Sequence, residues 1–183
     1  MIYSKITGTG SYLPEQILTN AQLEKMVDTT DEWIMTRTGI KERRVWPLGT
    51  LPSTIASNAG KKALANANMD PNKIDLVIHT GVCRDALEPS TAHLVHHNLK
   101  LSPHCLAFDL SNACVGFLNA ITVASNMIEL GQIKTALIVT GENAGPLYDT
   151  TIPELLKNDN PSVFKESLAN LTLGSAGVAY ILS

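Results

Sequence analysis

Residues 105–140 read CLAFDLSNACVGFLNAITVASNMIELGQIKTALIVT. The pattern changes period twice along this stretch. Cys105 to Leu110 is a short apolar run suited to a strand. Ala113 to Leu130 carries apolar residues at helical spacing and stops at Gly131, the place a glycine takes just past a helix end. Thr135 to Thr140 is again a run of branched apolar residues. A strand, a long helix and a second strand imply a right-handed crossover and neighbouring parallel strands.

Working outward, the same alternation recurs. Ile74 to Thr80 (IDLVIHT) reads as a strand covered on both faces, followed by a helix near Thr91 to Asn98. Upstream, Ser53 opens a helix with Ile55, Ala56, Ala59, Ala63 and Ala67 on one face, and that many alanines predict close packing. Ile2 to Thr9 reads as a buried strand closed by the turn signal Gly8-Thr9-Gly10. Short helices are predicted over Asn20 to Met26, capped by Thr19, and over Asp31 to Thr36. Lys41 to Trp46 reads as extended. Gly145 to Pro161, with three prolines, reads as irregular, and a helix at Ser162 to Asn170 and a strand at Ala176 to Leu182 complete the chain. The predicted class is α/β: a mostly parallel sheet flanked by helices. With no linker and no element after the last strand to cover the sheet, the chain reads as one lobe of something larger.

Composition narrows the function classes. Fourteen basic against 17 acidic side chains give a net charge of −3, which offers no general attraction to nucleic acid or anionic membranes. No stretch approaches the roughly 20 apolar residues of a membrane-spanning helix, and Met1 to Lys5 lacks the regions of a signal peptide. The expectation is a soluble protein of the cytoplasm. Cys83, Cys105 and Cys114 fit neither a disulfide framework nor paired zinc knuckles, so they read as free thiols.

Cys114 is set apart by its context. In Asp109-Leu110-Ser111-Asn112-Ala113-Cys114-Val115-Gly116-Phe117 a strand ends, small polar residues turn the chain, and the cysteine stands at the start of a long apolar helix. Free N–H groups at a helix start favour thiolate over thiol and can bind the oxyanion formed when a thioester carbonyl is attacked. Gly116 reads as keeping the nearby backbone accessible. By position alone, an acyl-accepting cysteine and a buried core cysteine stand level.

Three ordered segments add to this: Ile6-Thr7-Gly8-Thr9-Gly10-Ser11-Tyr12-Leu13-Pro14-Glu15, then Asp31-Glu32-Trp33-Ile34 with Thr36-Arg37-Thr38-Gly39-Ile40, and Asn112-Ala113-Cys114. With them the whole chain resembles the thiolase-superfamily condensing enzymes of the 3-oxoacyl-acyl-carrier-protein synthase III type. The resemblance implies a thiolase-like N-terminal, nucleophile-bearing domain over residues 1–183, one lobe of a two-lobe layered fold. It implies that Cys114 takes an acyl group from acyl-CoA or acyl-carrier protein, and that Trp33, Arg37 and Thr29 bind the substrate. An indole can stack on adenine and a guanidinium can fork onto phosphate; apart from the resemblance, Trp33 reads as a packing anchor and Arg37 as a surface charge. It further implies a homodimer paired through the Cys105 to Leu110 strand, and no cofactor beyond the thioester substrates. In Gly141 to Tyr148 (GENAGPLY) the chain departs from the family, with no arginine to close an adenine stack. Either coenzyme A is held differently or acyl-carrier protein is the donor.

Glu88 stands where the family has a large apolar residue before a proline. Arg84-Asp85-Ala86-Leu87-Glu88-Pro89-Ser90-Thr91-Ala92 is similar instead to the long-chain acyl-CoA condensing enzymes of bacterial olefin biosynthesis, as are Gly141-Glu142 and Leu171-Thr172-Leu173-Gly174. A carboxylate in an apolar acyl tunnel is poised as a base, and joining two acyl chains without loss of carbon dioxide requires one to remove an α-proton. Glu88, reaching across a dimer, is the candidate; against it stands a plain role in capping the next helix or pairing Arg84. His93, His96 and His97 share a helix face but lack the convergent partners of a zinc site, so no metal is expected. His79 and His104 read as structural.

The His and Asn that complete catalysis in the family lie in its second half, so carbon–carbon bond formation would need a C-terminal half-domain. Two classes remain open from sequence. One is the nucleophile half of a condensing enzyme, non-decarboxylative or a decarboxylative initiator of fatty acid synthesis. The other is a thiolase-fold scaffold subunit without catalysis.

Overall fold

The computed structural model describes residues 3–157 and 161–183. In chain order its elements are β1 (Ile6–Tyr12), β2 (Ile17–Thr19), α1 (Asn20–Leu23), α2 (Asp31–Thr38), β3 (Glu42–Arg44), α3 (Pro52–Asn66), β4 (Leu76–His79), α4 (Thr91–Leu99), β5 (Leu106–Asp109), α5 (Gly116–Glu129), β6 (Ala136–Glu142), α6 (Gly145–Leu156), α7 (Pro161–Thr172) and β7 (Ala176–Leu182), with a single 3-10 turn at Pro71–Lys73. They divide between two compact units.

The first unit holds Met1–Tyr12, Thr50–Glu142 and Ala176–Ser183. Its five strands form one sheet in the order β1-β7-β6-β4-β5. β4 pairs in parallel with β5 and with β6, while β7 runs antiparallel to both β6 and β1. The α/β class is therefore as expected, with one qualification: the sheet is mixed, because β7 opposes the other four strands. The last strand, β7, is paired on both sides, and the sheet's edge strands are β1 and β5.

Each face of this sheet meets a helix. On one face Ala56, Ala59 and Ala63 of α3 pack with Val77, Leu137, Val139, Ala179 and Ile181, and on the other Ala120, Ala124 and Ile128 of α5 pack with Leu76, Ile78, Ala136 and Ile138. β4 is buried throughout, which explains its unbroken apolar run. Glycines in β1 do not make the predicted turn. A Cβ at Gly10 would stand 2.2 Å from the Ala59 carbonyl oxygen and one at Gly8 2.7 Å from that of Ala63, so the strand runs on to Tyr12 and uses these glycines to admit α3. Ile2 lies outside the described residues.

The second unit holds Leu13–Gly49 and Asn143–Ser175. Its two-stranded ribbon, β2 against β3, contains the predicted extended stretch, although the sequence signalled only one of the two strands. Thr19 and Gln22 close a capping box at α1, and Gly39 ends α2 in the left-handed conformation at φ 72°. Leu23, Val27, Ile34, Val45, Tyr148, Ile152 and Leu171 form its core. Residues 145–156, expected to be irregular, are helix α6. Pro146 sits in the first turn, where its missing N–H costs nothing, and Tyr148, Thr151 and Ile152 are buried at helical spacing. Pro153 removes one interior hydrogen bond, and burial of that face outweighs it. Residues 158–160 of the stretch lie outside the described set.

Candidate active site

Three parallel strands, β4, β5 and β6, deliver their carboxyl ends to one edge of the first unit's sheet. This is the edge where α/β folds place ligands. Cys114 follows β5 there. The chain turns through residues 110–115 with Ala113 in the left-handed region at φ 43° and an isolated bridge between Asn112 and Cys114. Val115 donates to the Asn112 carbonyl at 3.0 Å and Gly116 to that of Ala113 at 3.2 Å. Helix α5 begins at Gly116 with no side chain capping it, so its positive end faces the turn that carries the cysteine. The sequence placed the helix start three residues early, and Cys114 stands just before the first turn.

The three thiols separate as their surroundings differ. Cys114 is exposed, Cys83 is half-buried and Cys105 is buried; burial, with Asp75 nearby, pushes the Cys105 thiol up to about 11. Gly116 does not keep backbone open as expected. It is buried, and a Cβ there would meet the Thr80 carbonyl oxygen at 3.2 Å and that of Leu110 at 3.3 Å. The glycine lets the start of α5 settle against the ends of β4 and β5.

Glu88 lies on the loop between β4 and α4, at the same sheet edge. It is exposed, precedes a cis proline, and makes no hydrogen bond or ion pair among the described residues. Neither plain role assigned to it is realised. Helix α4 is capped instead by Asp109, whose carboxylate accepts from Thr91 N–H at 3.0 Å and Ala92 N–H at 2.8 Å. Within this chain Glu88 is also not desolvated, so the apolar surroundings of a buried base would have to come from another surface.

Sequence reasoning missed the groups that hold this loop. Glu142, at the end of β6, accepts from Val82 N–H at 2.7 Å and Cys83 N–H at 3.2 Å. Asp85 accepts from the Ser53 N–H at 2.8 Å and from the Ser53 hydroxyl, at the first turn of α3. A usable signal existed: Asp109 and Glu142 are single acids closing apolar strand runs. Beneath the loop lies His79, fully buried, with its Nδ1 3.8 Å from Asp109 Oδ1, too far for a hydrogen bond, and no hydrogen-bond partner on either ring nitrogen among the described residues. Burial holds its pKa below the ordinary value against the pull of Asp109, Glu142 and Asp85, so the ring is neutral. His96 and His93 are separately engaged, with Ser102 O at 2.9 Å and Ser90 Oγ at 2.7 Å. No group of three or more potential ligands converges on a metal position among the described residues.

The other predicted residues belong to the second unit. Trp33, half-buried on α2, has the Arg37 guanidinium carbon 4.1 Å from its ring centroid and the Phe164 ring edge-on at 5.2 Å. Arg37 is exposed and also donates to the Trp33 carbonyl at 3.4 Å. Thr29 Oγ1 is buried without a hydrogen-bond partner among the described residues. Cys114 and Glu88 thus share one unit, and Trp33, Arg37 and Thr29 the other.

Comparison with known proteins bears on this edge. Residues 108–159, which begin one residue before the end of β5 and include Cys114, match the family described as 3-oxoacyl-[acyl-carrier-protein (ACP)] synthase III. The chain is 47% identical over 148 residues to a β-ketoacyl-[acyl-carrier-protein] synthase III of Caldanaerobacter subterraneus, covering 81% of this chain and 44% of that protein. It is 42% identical over 146 residues to an acyl-CoA:acyl-CoA alkyltransferase of Xanthomonas campestris, covering 79% and 43%. The chain is a homologue of the synthase III-type condensing enzymes of the thiolase superfamily.

The synthase III-type likeness holds in three dimensions. Xanthomonas campestris OleA, solved with bound lauric acid and lauroyl-CoA, superposes with a TM-score of 0.94 at 35% identity, covering 100% of this chain and 56% of that one. Solved forms of OleA also include replacements of a glutamate and of a cysteine 26 positions apart. This chain spans about half the length of the curated relatives it matches. Residues 141–148 end β6 and begin α6, and the cation on the Trp33 ring is Arg37 from the indole's own helix. Among the described residues, no helix is long and apolar enough to cross a membrane.

Proposed function

We propose that this chain is the nucleophile-bearing domain, residues 1–183, of a cytoplasmic acyltransferase that joins two acyl thioesters, and that a C-terminal half-domain and a second copy complete the site. The observation that carries the reading is the occurrence at one sheet edge of an exposed Cys114, beside a helix start that no side chain caps, and an exposed Glu88 that has no partner among the described residues. Glu88 precedes Cys114 by 26 residues, the same separation as the glutamate and cysteine replaced in OleA.

In the first step Cys114 Sγ attacks the carbonyl of an acyl-CoA or acyl-carrier-protein thioester. A new carbon–sulfur bond forms, the donor's breaks, and the donor leaves as a thiol with the proton Cys114 gives up. Amides at the start of α5 stabilise the oxyanion. In the second step Glu88, brought to the partner's acyl tunnel, removes the α-proton of a second acyl thioester. The enolate carbon then attacks the carbonyl held on Cys114, the carbon–carbon bond forms, and Cys114 leaves as thiolate and recovers the proton from Glu88. The product is a 3-oxoacyl thioester, and no cofactor takes part. Trp33, Arg37 and Thr29 bind the donor's nucleotide or pantetheine arm. An edge strand β5 with Leu106 half exposed suits pairing with a second copy.

A second reading is supported by the names of most similar relatives: decarboxylative condensation with a malonyl thioester, as in β-ketoacyl-carrier-protein synthases III. The test supplies the full-length enzyme with lauroyl-CoA alone or with malonyl-carrier protein. The proposal predicts a 3-oxoacyl product from lauroyl-CoA alone, formed at least a hundred-fold more slowly in Glu88→Gln while Cys114 acylation persists. Product that forms only with malonyl-carrier protein and releases carbon dioxide would establish the second reading instead.

A further inference from the structure

The loop that presents Glu88 is tied down at both ends by carboxylates from neighbouring strands. At its start the two oxygens of Glu142 each take one of the successive amides of Val82 and Cys83, at 2.7 and 3.2 Å. At its end Asp109 takes the amides of Thr91 and Ala92. Midway, Asp85 holds the first turn of α3. Gly81 sits directly on the His79 ring, where a Cβ would fall 2.7 Å from Cε1, so the loop has a floor as well as two ends. Among the described residues, Glu88 alone of these carboxylates has no hydrogen-bond or ion-pair partner. A loop fixed by three acids leaves the fourth free to act.

We infer that Glu142 is a positioning residue for Glu88: by gripping the Val82 and Cys83 amides it sets where the loop leaves β4, and hence where the Glu88 carboxylate can reach. The inference rests on the reading of Glu88 as the proton-abstracting base, but the grip itself does not. Glu142 is the informative member because, apart from a long 3.5 Å bond from the Thr140 hydroxyl of its own strand, its carboxylate bonds only the start of the loop, whereas Asp109 also caps α4 and leads into the Cys114 turn.

Two measurements separate these layers. Amide hydrogen exchange on this chain, comparing wild type with Glu142→Gln and Glu142→Ala, should show exchange at Val82 and Cys83 faster by ten-fold or more in the alanine variant and by less in the glutamine variant, with Thr91 and Ala92 unchanged. Unchanged exchange at Val82 and Cys83 overturns the inference. In the full-length enzyme, Glu142→Gln should slow condensation at least ten-fold while Cys114 acylation stays within two-fold, and adding it to Glu88→Gln should slow condensation no further. An equal loss in both half-reactions, or a further ten-fold loss in the Glu88→Gln background, overturns it. Should Glu88→Gln itself leave condensation intact, the base assignment has failed, while the exchange result still judges the grip.

Discussion

Asp109→Ala removes the acceptor for two amides that water cannot replace. Thr91 and Ala92 are fully buried, and the side chain of Ser90, the residue in the capping position, meets the His93 ring and caps no backbone amide of the helix. Asp109 therefore serves the first turn of α4 by itself, with bonds of 3.0 and 2.8 Å. Hydrogen bonds to a charged partner are worth about 1.5–3 kcal/mol each when one side is deleted, and a lost helix cap about 1 kcal/mol. Since the two bonds share one carboxylate and overlap with the cap, we expect about 3 kcal/mol for Asp109→Ala. Asp109→Asn, which keeps one accepting oxygen, should lose about half of that. In urea titration followed by circular dichroism, a slope of about 2 kcal/mol/M places the alanine variant's midpoint roughly 1.5 M lower at unchanged slope. A loss below about 1 kcal/mol, or equal losses in both variants, would refute the view that this carboxylate organises the loop and helix.

Gly10→Ala should cost about 3 kcal/mol or more in a thermal or urea melt, because the new methyl group would overlap backbone atoms of Ala59 and Ala63; a variant as stable as wild type would mean α3 does not rest on β1 here. His79 is buried and neutral, with a folded-state pKa below its unfolded value of about 6.5. The unfolded chain then binds more protons below that pH, so the contribution is complete above about pH 6.5 and is lost as pH falls beneath it. The urea midpoint should drop from pH 7.5 to 5.5 more steeply in wild type than in His79→Asn, and parallel pH profiles would contradict this. With a thiol reagent at pH 7.5, Cys114 should label first and Cys105, buried and raised to about 11, only on unfolding; rapid labelling of Cys105 in the native chain would contradict the packing described.

Period and punctuation carried most of the fold. β4, β6 and α3 follow directly from apolar spacing, because their faces are buried by neighbours of ordinary kind. Where the sequence misled, a tertiary contact had overruled a local rule. The glycines of β1 look like a turn until α3 is placed against them, and the prolines of α6 look like a break until Tyr148 and Ile152 are seen to be buried. β2 is three residues long and depends on β3, so it leaves no signal of its own. At the site, the turn around Cys114 was legible because a strand end, small residues and a helix start fall together in sequence. The clamps on the Glu88 loop were not, since Glu142 lies 60 residues from Val82 and nothing local marks such a pairing.

The measurement closest to the central claim is intact-protein mass spectrometry of this chain after incubation with lauroyl-CoA, beside Cys114→Ser. The account predicts one added lauroyl group on the wild-type chain, mapped by digestion to Cys114, and none on the variant. An adduct that survives in Cys114→Ser, or no adduct with or without the complementary half of the protein, would contradict it and leave Cys114 an exposed thiol without acyl chemistry.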